Sequence, residues 1–390
     1  MPLEIVLHAF LLLVGFGSVL AGFAVLIKHI QMFRIFSAKM KMKYSYAPAV
    51  SVIVPVRGLE EKTEENVLSL LHQDYKAMWE VVFVVDKDDK KTERKIREII
   101  KKSKVKNAKV IHNKLLETCS GKSAALVCGA KSARYKVVAA CDSDAKVRDT
   151  WLAALVAPLS QNKIGATTGF RFYVPGTNIS SYILSAWNAV GYIALQGKYP
   201  FIWGGGFAIR KSLIKKLDLL EIWSMVVSDD SAVARALLSA KLKSYFVPAC
   251  IALSYPSQFS DLKEFTTRQL TIIRWNWSSA FWTGFLAFVA TRLGIVLGLI
   301  TLIAYSLTNN FLFFIESFLL LLIIPLELII ANIDFKFSKI LTLEMSRTKW
   351  SAAYLLAHWL MAYNISKALR KKTVKWRGRT YNFANEAKII

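Results

Sequence analysis

Residues 5–27 form a run of 23 positions without a formal charge. At the rise of an α-helix that length crosses a bilayer once. A backbone in hydrocarbon has to satisfy its own hydrogen bonds, so such a run can only be helical. A signal peptide would carry its basic residues before the apolar run and a small-residue cleavage site after it. Here Lys28, Arg34, Lys39, Lys41 and Lys43 follow the run, which reads as an anchor with its N-terminus outside and the middle of the chain in the cytoplasm.

Two more apolar blocks, residues 282–307 and 311–333, are joined by the short turn Thr308-Asn309-Asn310 and predict two further spans. They return the chain to the side of Lys336, Lys339, Arg347 and Lys349. Residues 350–365 are apolar but short. If they crossed, the basic tail (Lys367, Arg370, Lys371, Lys372, Lys375, Arg377, Arg379) would lie outside, so an interfacial or re-entrant helix fits better. The expected organisation is an anchor at 1–30, a catalytic domain at 48–260, an amphipathic interfacial helix rich in aromatics at 261–280, two spans at 281–333 and an interfacial region at 334–390. Charges inside spans need partners. Arg292 and Glu327 fall at comparable depth on antiparallel helices and are predicted to pair.

The net charge of +25 would suit a nucleic-acid binder, but the Lys and Arg residues cluster beside the apolar blocks, which points to anionic headgroups and no nucleic-acid partner. The four cysteines (Cys119, Cys128, Cys141, Cys250) show no CxxC pairing and read as reduced core residues. No histidine has metal-ligand spacing; core or surface roles are expected for all five.

In the middle region, apolar β-branched runs at 49–56, 79–85, 108–112 and 137–141 alternate with helical patterns, and carboxylates collect where the runs end. That pattern predicts an α/β, Rossmann-like parallel sheet with its ligand site along the strand C-termini. The segment VVAACDSD is its centre. Asp142 and Asp144, two residues apart on extended backbone, would share one face and can share a divalent cation or a metal-bound diphosphate. Taken alone, the same pattern is more often a solvated turn than a metal site. Trp203-Gly204-Gly205-Gly206-Phe207 is a tight loop where backbone approaches something closely. Ser228 caps a helix that opens on Asp229 and Asp230.

In order and spacing, VSVIVPVRG, WEVVFVVDKDD, SGKSAALVCGA, CDSDA, TTGFRFYVP, WGGGFAIRKS, SDDSAVA, FTTRQLTIIRW and KWRGRTY resemble the family-2 inverting nucleotide-sugar glycosyltransferases, within them the ceramide-glucosyltransferase-like branch. The resemblance covers residues 49–277 and extends to the tail. It implies a GT-A-type domain, a nucleotide-sugar donor such as UDP-glucose, a membrane-lipid acceptor, and Mg2+ or Mn2+ on Asp142 and Asp144, with Asp144 the direct ligand. Asp86, or its neighbours Asp88 and Asp89, would meet the nucleoside. The local DKDD departs from the usual DDGS. Lys122 would face the donor phosphates. GKS here is no P-loop, because that motif requires Gly where the chain has Leu116.

Asp230 matches the general base, and Asp229 replaces the commoner glutamate. The family's QxxRW is only partly kept. Arg274 and Trp275 are present, but Thr271 stands where Gln belongs, and the nearby pair is Arg268-Gln269. Arg274 would close over the diphosphate, Trp275 would stack near the acceptor, and Trp203 to Phe207 would line the acceptor pocket. Arg377 and Arg379 either fold back toward the donor or, as the preferred reading, form a basic membrane-contact tail.

Two alternatives stand beside a lipid glycosyltransferase. A processive polysaccharide synthase would need an intact QxxRW and more spans to form a channel. A transporter or non-catalytic receptor would rest on Arg292, Glu316 and Glu327, but leaves the acidic α/β domain unexplained.

Overall fold

A computed structural model of the chain describes residues 2–40, 44–114, 118–196, 200–255 and 262–383. The expectations that rest on Lys41, Lys43, Leu116 and Asp261 lie outside the described residues. The chain divides into two compact units. One comprises residues 1–37, 175–193 and 258–371; the other comprises 38–174, 194–257 and 372–390. Residues 175–193 thus go with the long helices, and residues 372–383 with the sheet.

The second unit is built on a seven-stranded sheet. Its strands are β1 (Val50–Val56), β2 (Trp79–Asp86), β3 (Ala108–Asn113), β4 (Val137–Cys141), β5 (Ile164–Tyr173), β6 (Gly206–Arg210) and β7 (Lys243–Ser254), in the order β3-β2-β1-β4-β6-β5-β7. The β1, β2 and β4 sequences read as near-continuous apolar runs because both faces are covered, and nearly every residue in them and in β5 is buried. Val52, Val54, Phe83, Val85, Ala139 and the fully buried Trp151 belong to one core cluster. The helix Gly121–Ser132 packs close to β1, where a Cβ at Gly129 would stand 2.3 Å from Ile53 Cγ2; only glycine fits.

The expectation of an α/β, Rossmann-like fold is met, with one correction to the all-parallel sheet: β6 runs antiparallel to both β4 and β5. β6 and β7 also went unread in the sequence. β6 follows a glycine run that reads as loop, and Pro248 interrupts β7. Because β5 runs in the direction of β4, the C-terminal ends of β1, β2, β3, β4 and β5 and the N-terminal end of β6 share one edge.

In the first unit three helices are long and apolar enough to cross a membrane, over Leu3–Ala38, Ser278–Thr308 and Phe311–Ile340. The third breaks at Leu322. Pro325 lacks the N–H that would bond the Leu321 carbonyl, and the helix loses its continuity there. Arg347–Ala368 is a single helix below the apolar threshold of a span. Arg292 and Glu327 pair as expected. Two further pairs were not foreseen: His8 Nδ1 lies 2.6 Å from Glu316 Oε1, and His29 Nδ1 lies 2.7 Å from Asp334 Oδ1. Both histidines are buried, the core role expected of them, and each partners a carboxylate there.

Candidate active site

At the common edge the chain leaves β4 at Cys141 and turns, so Asp142 and Asp144 stand in a turn and not on extended strand. Their carboxylates still converge. Arg171, pointing in from β5, brings Nη2 to 2.6 Å from Asp142 Oδ2 and 2.8 Å from Asp144 Oδ1, and Nη1 to 3.2 Å from Asp144 Oδ2. Its guanidinium is further held by Tyr173 Oη at 3.1 Å and lies 5.3 Å from the Trp203 ring. The other Asp142 oxygen, Oδ1, takes Lys122 Nζ at 2.7 Å. Burial alone would raise the Asp142 carboxyl, but Lys122 and Arg171 outweigh it and hold it below the ordinary carboxylate range. Burial likewise opposes the charges of Lys122 and Arg171, and the surrounding carboxylates raise both.

Lys122 owes its position to the start of the helix Gly121–Ser132. Ser120 caps that helix, its hydroxyl accepting from Ser123 N at 3.0 Å. Lys122 Nζ also approaches Asp229 Oδ2 at 3.9 Å. Asp229 is buried and this oxygen has no hydrogen-bond partner. Burial, reinforced by Asp230 and Asp142 against the opposing Lys122, pushes Asp229 up to about 7. Asp230 is more open. Its Oδ1 accepts from Ser228 Oγ at 2.6 Å and Ser231 N at 2.8 Å, and its Oδ2 accepts from Gly204 N at 3.2 Å. Ser228 therefore serves Asp230 and makes no side-chain cap bond to the helix backbone, contrary to the expected capping.

Gly204 and Gly205 lie against these carboxylates. A Cβ at Gly204 would meet Asp229 Oδ2 at 2.9 Å and Lys122 Nζ at 3.0 Å; one at Gly205 would meet the Trp203 ring at 2.2 Å and Asp142 Oδ2 at 2.5 Å. The Gly205 carbonyl also accepts from Asp142 N at 3.2 Å. Gly206 opens β6. Phe207 is fully buried and faces Trp223 at 6.5 Å between centroids, so it belongs to the core and lines no opening.

Of the DKDD carboxylates, Asp86 is buried at the end of β2 and Asp88 is exposed. Asp89 caps the helix Lys90–Ser103 through Thr92 N at 3.2 Å and accepts from Gly58 N at 2.8 Å. Asp86 accepts Asn113 Nδ2 at 2.8 Å on Oδ1, and Arg57 and Arg379 on Oδ2. The preferred reading of the tail as a membrane-contact segment is therefore corrected for Arg377 and Arg379: they pair with Glu60 and Asp86 of the sheet unit.

The remaining motif belongs to the helical unit, on the helix Leu262–Asn276. Arg274 Nη1 donates to the Ala368 carbonyl at 2.7 Å, and Trp275 Nε1 donates to the Lys371 carbonyl at 3.1 Å, at the negative end of Arg347–Ala368. Arg268 lies over the Phe265 ring at 5.2 Å, and Gln269 follows it on the same helix.

The sequence reading passed over Arg171, Tyr173, Arg57 and Asn113. Arg171 had a signal: it is the one formal charge in the otherwise uncharged strand IGATTGFRFY.

Among the described residues no group of three or more His, Cys, Asp or Glu side chains is arranged to hold a metal. The Asp142–Asp144 pair nevertheless fits a hard divalent cation. Both are oxygen donors, Asp142 is held ionised, and two of their oxygens already meet at one nitrogen. A donor diphosphate and water would complete the shell.

Asp229 carries a stability prediction. Folded, it keeps its proton up to about pH 7, whereas an unfolded carboxyl releases it near 3.8. Between these values the folded state binds the extra proton, so stability falls as pH rises and the full penalty, on the order of 4 kcal/mol, stands above pH 7. Asp229→Asn is expected to raise the thermal midpoint at pH 8 and to lose that advantage at pH 4.5. An equal gain at both values would mean that ionisation is not its cause.

A family model described as Glycosyl transferase family 21 matches residues 14–389. No curated protein matches the chain. Among solved structures it is similar to the mannosyltransferase PcManGT from Pyrobaculum calidifontis in complex with GDP-Man and Mn2+, at 16% identity and a TM-score of 0.48 over 90% of this chain and 99% of that one. It is also similar to GalNAc-T7 with UDP, GalNAc and Mn2+, at 18% identity and a TM-score of 0.41 over 64% of this chain and 52% of that one.

Proposed function

The chain belongs to glycosyl transferase family 21, and from that premise we propose that it is a membrane-bound enzyme moving a hexose from a nucleotide sugar to a hydroxyl of a membrane lipid, with inversion. The first donor to test is UDP-glucose and the first acceptor ceramide or a related lipid. The observation that carries the reading is the convergence, around Gly204 and Gly205, of Asp142, held ionised by Lys122 and Arg171, with Asp229 and Asp230.

In this reading the acceptor oxygen attacks the anomeric carbon and the bond to the diphosphate oxygen breaks, its electron pair leaving with the nucleoside diphosphate. Asp230, the more open of its pair, takes the acceptor's proton. A divalent cation on Asp142 and Asp144 would supply charge neutralisation for the leaving group. Lys122 adds a fixed positive charge beside it, and Arg171 keeps the carboxylate pair oriented. Asp229, buried beside Lys122, sets the local charge balance. A single displacement with one base inverts the centre, so an α-linked donor gives a β-glycoside.

The proposed organisation keeps residues 48–260 as the catalytic domain and places it in the cytoplasm, an orientation supported by Lys28, Arg34 and Lys39 after the first apolar run. The test is turnover of a panel of labelled nucleotide sugars by detergent-purified protein with membrane lipids and Mg2+ or Mn2+. A lipid carrying one sugar, lost in Asp144→Asn, is the expected product. A polymer would favour the synthase reading, and no donor consumption under any condition would sink both.

A further inference from the structure

Residues 373–382 form a two-stranded hairpin, β8 (Thr373–Trp376) and β9 (Arg379–Asn382), joined by Arg377 and Gly378. Both loop residues have positive φ, 48° and 78°, the signature of a type I′ turn. A non-glycine residue is strained in that region. Arg377 is held in that geometry with Nη2 at 2.8 Å from Glu60. Val374 is buried and Phe383 fully so, and Phe383 N bonds back to the Lys372 carbonyl at 3.1 Å. The hairpin is thus a docked part of the sheet unit.

The docked face is specific. Arg379 and Tyr381, two apart on β9, point the same way. Arg379 Nη2 reaches Asp86 Oδ2 at 3.2 Å, while Tyr381 Oη accepts from Gly121 N at 3.3 Å. Gly121 immediately precedes Lys122, whose amine is on Asp142. The strand order β2-β1-β4 sets Asp86 and Asp142 two strands apart, about 10 Å. The hairpin therefore extends the acidic and cationic edge already described.

Asp86, expected to meet the nucleoside, already has partners on both of its oxygens. Oδ1 is taken by Asn113 and Oδ2 by two guanidiniums, and the side chain is 5% exposed. Arg57 and Arg379, by contrast, remain 34% and 26% exposed. Asp86 thus orients both guanidiniums, Asp88 Oδ1 lies 4.0 Å from Arg57 Nη1, and each guanidinium keeps donors to spare. Planar forks of this kind match the oxygens of a phosphate.

We propose that the hairpin completes the donor site, with Arg379 and Arg57 binding the diphosphate of the nucleotide sugar and Asp86 acting as their positioning residue. This rests on the nucleotide-sugar reading above. The opposite arrangement, a cover that competes with the nucleotide for Asp86 and Gly121, predicts opposite results.

The experiment is calorimetric binding of UDP, GDP and uridine to the full-length protein in detergent with Mn2+, without acceptor. Arg379→Met should weaken binding of the favoured diphosphate tenfold or more and leave the free nucleoside unaffected. Arg379→Lys should recover part of the loss. Arg57→Met, which leaves the hairpin sequence untouched, should reproduce the Arg379→Met pattern and so separates charge from hairpin folding. Unchanged or tighter diphosphate binding in both Met variants would overturn the proposal while leaving the glycosyltransferase reading intact. If the wild type binds neither diphosphate, both readings fall.

Discussion

Asp230→Asn is expected to lower sugar transfer about 10²–10⁴-fold, the range that removal of a general base produces. The amide can keep one oxygen toward Ser228 Oγ and Ser231 N, so the start of the helix Asp229–Ser239 should survive. Its NH2 would face the Gly204 N–H, where Asp230 Oδ2 now accepts, and two donors would meet. The loss should fall on kcat, with the donor affinity changed little, because the carboxylate removed is not the pair that converges on Arg171. Asp229→Asn is the control that gives this its meaning. Its carboxyl already holds a proton near neutral pH, so a neutral replacement should cost far less at pH 6 than at pH 8. If Asp229→Asn is the inactive variant and Asp230→Asn keeps a tenth or more of the wild-type rate, the two roles are exchanged.

What could be read in advance follows from how local each signal is. β1, β2 and β4 declared themselves because a strand covered on both faces leaves a run of valines and alanines that nothing else explains. β6 did not, because its antiparallel direction is set by a chain reversal between Tyr173 and Gly206, which leaves no periodicity. The same holds at the site. Asp142, Asp144, Asp229 and Asp230 stand in recognisable motifs, but the residues that govern their charge come from elsewhere. Arg171 lies 27 positions beyond Asp144, and Lys122 comes from a different helix. Arg379 reaches Asp86 across 293 positions. The basic composition of the tail pointed to a membrane, and only the paired positive φ angles at Arg377 and Gly378 turn it back on itself.

Arg292→Met and Glu327→Met should each cost on the order of 3–5 kcal/mol of stability, because each leaves one buried charge with no counter-ion. The side chains are 6% and 5% exposed, and Glu327 Oε2 has no hydrogen-bond partner. The pair lies between two apolar helices, Ser278–Thr308 and Phe311–Ile340. Water cannot solvate a widowed charge there at low cost. The double variant removes both charges and fills the space with apolar volume, so it should lie closer to the wild type than either single change. His8 with Glu316 and His29 with Asp334 provide an internal comparison, since both join the helix Pro2–Lys39 to the third apolar helix. An imidazole can partner a carboxylate in its neutral form. Arginine cannot, because its guanidinium stays protonated. Truncating Arg292 or Glu327 should therefore be more damaging than truncating either histidine. Thermal unfolding of the detergent-purified single and double variants measures all of this. Simple additivity at Arg292 and Glu327 would show that the two charges are stabilised by other neighbours, and the pairing would then be a consequence of the helix packing instead of one of its causes.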